Sequence, residues 1–226
     1  MHMYQRYVKR ALDIIFSVCG LFFLAPVFLI LIAWIRLDSP GPIFFKQKRV
    51  GKNKVHFNIL KFRTMRTDAP HDMPTHLLTN PEAFITKSGH FLRKTSLDEL
   101  PQIINILKGE MSIVGPRPAL WNQYDLLAER DRYAANDVTP GLTGWAQVNG
   151  RDELEIDVKA RLDGEYVRNL TFKMDATCFL MTIGNVLKQK GVVEGGTGAM
   201  APHLEARKEE VKDKEDEKPY GGKNSA

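Results

Sequence analysis

Between Ile14 and Ile35 the chain runs for 22 residues without a charged side chain, IIFSVCGLFFLAPVFLILIAWI. At about 1.5 Å per helical residue this run is long enough to cross the hydrocarbon core of a bilayer. No other feature constrains the fold as strongly. A cleaved signal peptide fits less well, because the run is too long for the apolar region of one and no small-x-small cleavage site follows. A helix buried in a water-soluble core fits less well still.

Two details bear on how the run meets a membrane. Pro26 lies near its middle, removes a backbone donor and disturbs the carbonyl of Phe22, which favours a kink or a break. Basic residues flank both ends: Arg6, Lys9 and Arg10 before it, and Arg36, Lys46, Lys48 and Arg49 after it. Positive charge holds a flank on the cytoplasmic side, so both flanks are expected there. A broken helix that enters and leaves by one face satisfies both details. A kinked single-pass helix is the rival, since spanning helices tolerate proline. On the residues alone the two stand level.

The formal net charge of +5 is concentrated around this segment. Residues 1–54 carry nine Lys/Arg against two Asp/Glu, residues 55–202 carry 17 against 18, and residues 203–226 carry six against seven. Excess positive charge beside an apolar run suits an anionic membrane surface. The rest of the chain has no basic surplus of the kind a nucleic-acid-binding face requires, so no nucleic-acid partner is expected. Cys19 and Cys178 are too few and too far apart for a disulfide framework or a zinc site, and the six histidines show no ligand spacing.

Further on, GPIFFKQKRV and KVHFNILKFRTM read as two strands of a hairpin around GKNK. The proline-bearing stretch 67–84 reads as loop. Residues from Ser96 to about Met111 read as a helix, with Ser96 and Glu99 at capping-box spacing and Leu100, Ile103, Ile104 and Leu107 as its apolar stripe. MSIVGPRPAL reads as a rigid turn and VTPGLTGWAQVNGR as a glycine-spaced loop with little regular structure. Helices are expected over 122–135, 153–169 and 174–189, the last with Asp175 in its first turn and Lys188 and Lys190 at its end. GGTG at 195–198 is weak evidence for a nucleotide loop, and the charged tail beyond it has the composition of a disordered segment.

The candidate chemistry centres on RKTSLDELPQ, residues 93–102. Asp98 and Glu99 alone are an ordinary helix start, where carboxylates meet free N–H groups and the positive end of the dipole. Their neighbours change that reading. A helix start also welcomes phosphate, Arg93 and Lys94 lie just upstream, and Arg151 closes a glycine-spaced loop. Arg117 is mounted stiffly between Pro116 and Pro118, as bidentate phosphate binding favours. Carboxylates are hard ligands for Mg²⁺, which is commonly held by one or two of them plus phosphates. An ionised aspartate also attacks phosphorus without help from a base. The pattern suggests phosphoryl transfer at a membrane.

Taken together, VKRALDI, GPIFFKQKRVG, LKFRTM, LRKTSLDELPQIINILKGEMSIVGPRPAL, TPGLTGWAQVNGR and DATCFLMTIGNVL resemble the bacterial sugar transferases, specifically the small monotopic phosphoglycosyl transferases. The resemblance covers roughly residues 7–190 and rests on the combination of motifs. It implies transfer of a sugar 1-phosphate from a UDP-sugar, commonly an N-acetylated and sometimes deoxy-amino sugar, to undecaprenyl phosphate with release of UMP. That reaction opens the membrane phase of surface-glycan assembly. It implies a covalent phosphosugar intermediate on Asp98 and a Mg²⁺ role for Glu99. Phosphate binding falls to Arg93 and Arg117, and a position near the nucleotide to Arg151. Lys61 and Arg63 belong to a matching basic stretch.

The implied fold is α+β and mostly helical, with a small β-hairpin region and amphipathic interfacial helices. It implies a re-entrant helix over 1–36 hinged at Pro26, a catalytic domain over 37–195 on the cytoplasmic face of the inner membrane, and a tail over 196–226. Where the family hinges at Ser-Pro, this chain has Ala25-Pro26. The chain has the look of the minimal catalytic form. Two other readings stand beside this one: a membrane-bound phosphotransferase with a different nucleotide-activated donor, and a membrane-anchored interaction module whose Asp98-Glu99 pair merely caps a helix.

Overall fold

The computed structural model describes residues 3–69, 81–150 and 154–187. After a π-helical turn at Tyr4–Val8 comes α1, Lys9–Asp38. A hairpin follows, β1 at Phe44–Val50 and β2 at His56–Phe62, then α2 at Lys87–Thr95 and α3 at Gln102–Lys108. The remaining elements are β3 (Ser112–Val114), α4 (Tyr124–Asp131), β4 (Gly141–Thr143), α5 (Trp145–Val148), α6 (Ile156–Arg168) and α7 (Phe172–Leu187). This is the mostly helical α+β architecture that the sequence implies.

The helix α1 is a single 30-residue helix that contains Pro26. Of the kink or break expected at Pro26, the break is not seen: the backbone stays helical through it. The chain can absorb one lost donor because the flanking turns remain bonded. Its apolar side chains are largely uncovered: Phe22 and Phe23 are about three-quarters exposed, and Ile15, Phe16, Val18, Leu29 and Ile30 are exposed as well. Among the described residues α1 is the one helix long and apolar enough to cross a membrane. An apolar surface of this extent calls for lipid or a partner.

Both ends of α1 are nonetheless bound to the rest of the protein. Lys9, Asp13 and Ser17, at four-residue spacing, form a buried stripe at its start. Lys9 Nζ reaches Asp175 Oδ2 of α7 at 2.6 Å. Asp13 Oδ1 accepts from Ser112 Oγ at 3.0 Å and from Ile113 N at 2.9 Å. Arg10 donates to Ile106 O at 2.5 Å and Leu107 O at 2.8 Å, satisfying carbonyls in the last turn of α3. At the other end Leu31 and Ile35 pack with Phe62 and Leu92 in one buried cluster. Asp38 Oδ2 accepts from Ser88 N and Oγ at 2.8 and 2.7 Å. The basic flank read as facing the membrane is thus corrected for Lys9 and Arg10, whose charges are used inside the protein.

The hairpin follows the expected alternation. Its antiparallel register runs from Phe44 opposite Phe62 to Val50 opposite His56. A 3₁₀ turn at Lys52–Lys54 closes it, with Asn53 and Lys54 in the left-handed region. The expected single helix from Ser96 to Met111 is replaced by two pieces. Ser96 has φ 57° and terminates α2, its N–H bonded to Arg93 O, and its side chain makes no cap bond. A 3₁₀ turn, Leu97–Glu99, comes next, and α3 starts only at Gln102 behind Pro101. The helix-start reading of the carboxylate pair is therefore corrected.

Two stretches expected to be irregular hold a small parallel sheet instead. Ser112 pairs with Gly141 and Val114 with Thr143. Tyr166, α6's fully buried tyrosine, donates to Val114 O at 3.1 Å and to Asp175 Oδ1 at 2.7 Å. Burial and the neighbouring Asp175 push its hydroxyl well above the ordinary range, so it remains a donor. The α7 helix begins at Phe172, two residues before the expected start. Lys188, Lys190, the GGTG cluster and the tail lie outside the described residues, and so does most of the proline-bearing loop.

Candidate active site

Asp98 and Glu99 sit in the 3₁₀ turn between α2 and α3. The left-handed Ser96 reverses the chain after α2, and Pro101 leads straight into α3. The two residues that bracket the pair, Leu97 and Leu100, pack against the cluster of Leu31, Ile35, Phe62 and Leu92. The turn is thereby seated on the C-terminal half of the apolar helix. The site lies beside the surface that lipid would cover.

Three cationic side chains surround the pair. Lys61 of β2 places Nζ 2.7 Å from Glu99 Oε1 and 3.7 Å from Asp98 Oδ2. Arg117 Nη2 lies 2.9 Å from the same Glu99 oxygen. Arg93 donates from Nε to Thr64 Oγ1 at 2.9 Å, just past β2, and its charge acts on Asp98.

The electrostatics separate the two carboxyls. Burial pushes Asp98 above the ordinary aspartate value, and the Glu99 charge adds to this against Lys61, Arg93 and Arg117. Burial would push Glu99 upward as well, but Arg117 and Lys61 outweigh it and hold that carboxyl well below the usual range. Two adjacent carboxylates in one cation cluster thus have different characters: Glu99 a fixed anion, Asp98 the more basic group. Environments that split a pair in this way mark distinct chemical roles.

Arg117 is positioned by backbone packing between two motifs. Gly115 N donates to Thr143 O at 2.8 Å, and Gly141 N donates to Pro116 O at 2.9 Å. A Cβ on Gly144 would meet Gly115 O at 2.0 Å, and one on Gly141 would meet Gly115 N at 2.1 Å. Only glycine permits this approach. Val50 N also donates to Ala119 O at 2.9 Å, and Arg49 Nη1 to Pro118 O at 3.0 Å, tying the proline-flanked loop to β1.

The structure thus brings together Asp98, Glu99, Lys61, Arg93 and Arg117. Arg63 takes a different place: its guanidinium donates to Ser39 O, Ser39 Oγ and Pro40 O at 2.6–2.8 Å, fastening the chain just after α1. Arg151 lies outside the described residues. Sequence reasoning missed Thr64 and Gln102, the second a buried amide three residues past Glu99. The RT of LKFRTM and the final letter of SLDELPQ were visible, but neither residue type signals a site by itself.

No group of three or more candidate metal ligands occurs among the described residues. Asp98 and Glu99 are the acidic pair that could contribute carboxylate oxygens to a substrate-bound divalent ion, whose other ligands would be phosphate and water. Lys61 and Arg117 both meet Glu99 at Oε1.

Fold and site define a mainly helical α+β protein in which a cation-ringed carboxylate pair is mounted on an apolar helix. The chain belongs to the bacterial sugar transferase family, whose model matches residues 4–189. It is 40% identical over 185 residues to the uncharacterized sugar transferase EpsL of Bacillus subtilis, covering 82% of this chain and 90% of that one. It is 34% identical over 197 residues to the exopolysaccharide production protein ExoY of Sinorhizobium fredii, covering 81% and 87%. It is also 40% identical over 187 residues to the UDP-glucose:undecaprenyl-phosphate glucose-1-phosphate transferase of Escherichia coli, covering 79% of this chain but 40% of that longer protein.

Proposed function

We propose that this chain is a phosphoglycosyl transferase that moves a sugar 1-phosphate from a UDP-sugar to undecaprenyl phosphate, releasing UMP, at the cytoplasmic face of the inner membrane. The observation that carries the reading is the split dyad: Asp98 buried and more basic, Glu99 held ionised by Lys61 and Arg117. The activity for which the Escherichia coli relative is named supports the donor and acceptor classes.

In the first step an Asp98 carboxylate oxygen attacks the sugar-bearing phosphorus. The bond from that phosphorus to the bridging oxygen breaks, and UMP leaves with the electron pair. In the second step a phosphate oxygen of the polyprenyl acceptor attacks the same phosphorus. The bond to Asp98 breaks, the carboxylate is restored, and a polyprenyl diphosphate sugar results. Lys61, Arg93 and Arg117 neutralise the phosphate oxygens, and most of the catalysis is positioning and charge stabilisation. Mg²⁺ belongs to this reading: Glu99 would hold it, and it would supply Lewis-acid stabilisation of phosphate charge. Arg151 is assigned to the nucleotide end on the family motif.

The topology is monotopic. Charged residues at both ends of α1 dock into the same folded body, which supports a helix that returns to one face over one that crosses. Leu97 and Leu100, which flank the dyad, pack on that helix, and this supports an acceptor phosphate that approaches from the lipid.

The test is UMP release by purified protein with a panel of UDP-sugars, glucose and galactose together with N-acetylated and deoxy-amino sugars. Undecaprenyl phosphate should carry the product. Asp98→Asn should abolish release and remove the covalent adduct seen by mass spectrometry when the acceptor is withheld. Release by Asp98→Asn at the wild-type rate would refute the aspartyl mechanism, and full activity in excess EDTA would refute the Mg²⁺ role.

A further inference from the structure

Two buried amides lie on one edge of α3, and their hydrogen bonding differs completely. Asn105 is fully buried and satisfied: Oδ1 accepts from Leu60 N at 2.9 Å, and Nδ2 donates to Asn58 O at 2.8 Å and Glu110 Oε2 at 2.7 Å. Gln102, three residues earlier, is 1% exposed, yet its Nε2 has no hydrogen-bond partner among the described residues. Leaving a buried amide donor unpaired is unfavourable enough that native proteins rarely do it without a reason.

Position supplies the reason. Glu99 meets Lys61 of β2, and Asn105 meets Leu60 and Asn58 of the same strand. Gln102 lies at three-residue spacing between them, so it occupies the same edge of the 3₁₀ turn and helix, one turn from the dyad. Ser17 Oγ and Trp145 Nε1 are unpartnered as well, but they belong to α1 and α5 and not to the helix edge that continues from the dyad. Three further atoms have simpler accounts. Arg63 bonds through its remaining guanidinium nitrogens, Gln147 bonds through its own Nε2, and Arg49 bonds through both Nη atoms.

We propose that Gln102 is a donor-substrate contact, its Nε2–H group donating to an oxygen of the phosphosugar held between the dyad and the cations. The inference rests on the phosphoglycosyl transferase reading and adds a residue to it. A neutral amide suits the task, because a further cation beside Lys61, Arg93 and Arg117 would repel them, while a carboxylate would repel the phosphate. The bond is absent until substrate arrives, so it acts on the bound donor and not on the resting fold.

The experiment compares wild type, Gln102→Leu and Gln102→Met in detergent by thermal unfolding and by UMP release. The rate is measured as a single-turnover burst with UDP-sugar alone and as steady-state turnover with undecaprenyl phosphate. Both variants should melt at or above the wild-type temperature, because an unsatisfied donor has been removed. Both should lose roughly tenfold to a hundredfold in kcat/KM for the donor, the range expected for one hydrogen bond to a charged group. Gln102→Glu should fall further. Either apolar variant within twofold of wild type in turnover overturns the proposal, as does a drop of several degrees in melting temperature for both, which would assign the amide a structural bond. A wild type that releases no UMP from any donor overturns the functional reading instead, and the Gln102 contact with it.

Discussion

Lys9 and Asp175 are 166 positions apart in the chain, yet they form a buried ion pair at 2.6 Å that joins the start of the apolar helix to the first turn of α7. Asp175 also accepts from Tyr4 at 2.6 Å and from Tyr166 at 2.7 Å. Tyr166 in turn bonds Val114 O, three residues before Arg117. One carboxylate therefore links the apolar helix to the loop that carries Arg117.

Removing one member of such a pair strands a buried charge, at a cost of about 3–5 kcal/mol. The two single changes should differ. Lys9→Met leaves Asp175 with two hydroxyl donors, while Asp175→Asn takes from Lys9 its bonded carboxylate and leaves only the charge of Asp13, which is already bonded to Ser112 and Ile113. Asp175→Asn should be the more destabilising, and the double variant should recover much of the loss. Unfolding of the four proteins in detergent checks this, and equal additive losses would contradict it.

The dyad has its own dependence on pH. In the proposed mechanism Asp98 attacks as a carboxylate, and its carboxyl is raised above the ordinary value of 3.8, so the acid limb of the rate profile should lie above the usual aspartate range. Lys61 is the largest of the influences opposing that rise. Lys61→Met should therefore move the acid limb toward higher pH as well as lowering the plateau. Stability should respond with opposite signs at the two carboxyls. The lowered Glu99 contributes stability above its unfolded value that is lost as pH falls through its folded one. The raised Asp98 opposes folding at neutral pH, and that penalty is relieved on acidification through its folded value. An acid limb unmoved by Lys61→Met would refute the coupling.

The sequence made the hairpin legible because period-2 alternation and a Gly-Lys-Asn turn are local signals. Motif chemistry pointed to the dyad, Arg93 and Arg117 as a group, and the family resemblance added Lys61. The start of the dyad helix was not legible. Ser96 and Glu99 have capping spacing whether the serine opens a helix or, as here, closes one in the left-handed region. The β3–β4 pairing spans three residues a side, too few to show a period. Lys9 and Arg10 read as a solvated flank because their partners lie about 100 or more positions away.

Glycines give a sharp contrast. Gly144→Ala would drive a Cβ to 2.0 Å from Gly115 O, a backbone atom that moves only if the proline-flanked loop moves. The variant should lose several kcal/mol of stability or fail to fold, with Arg117 displaced. Gly184 lies within α7 with nothing within 4 Å of its added Cβ. Gly184→Ala should stabilise the protein by about 0.5–1 kcal/mol through helix propensity, with unchanged turnover. Thermal unfolding and UMP release on both variants provide the check.

Topology is decided at the two ends of α1. A 30-residue helix running straight across a bilayer would be about 45 Å long and would put its ends in different compartments. The salt bridge of Lys9 and the Ser88 bonds of Asp38 attach both ends to one folded body. Single-cysteine variants at Tyr7 and Leu37, in a Cys19→Ser background, should therefore label together with a membrane-impermeant maleimide in inside-out vesicles and stay protected in right-side-out ones. Both positions are well exposed, so access to the reagent is not limited by the fold. Cys178 can stay in place, because it is fully buried and its thiol is pushed up to about 12 by burial and the nearby Asp175. Labelling of Tyr7→Cys and Leu37→Cys from opposite sides would refute the monotopic arrangement and restore the single-pass helix.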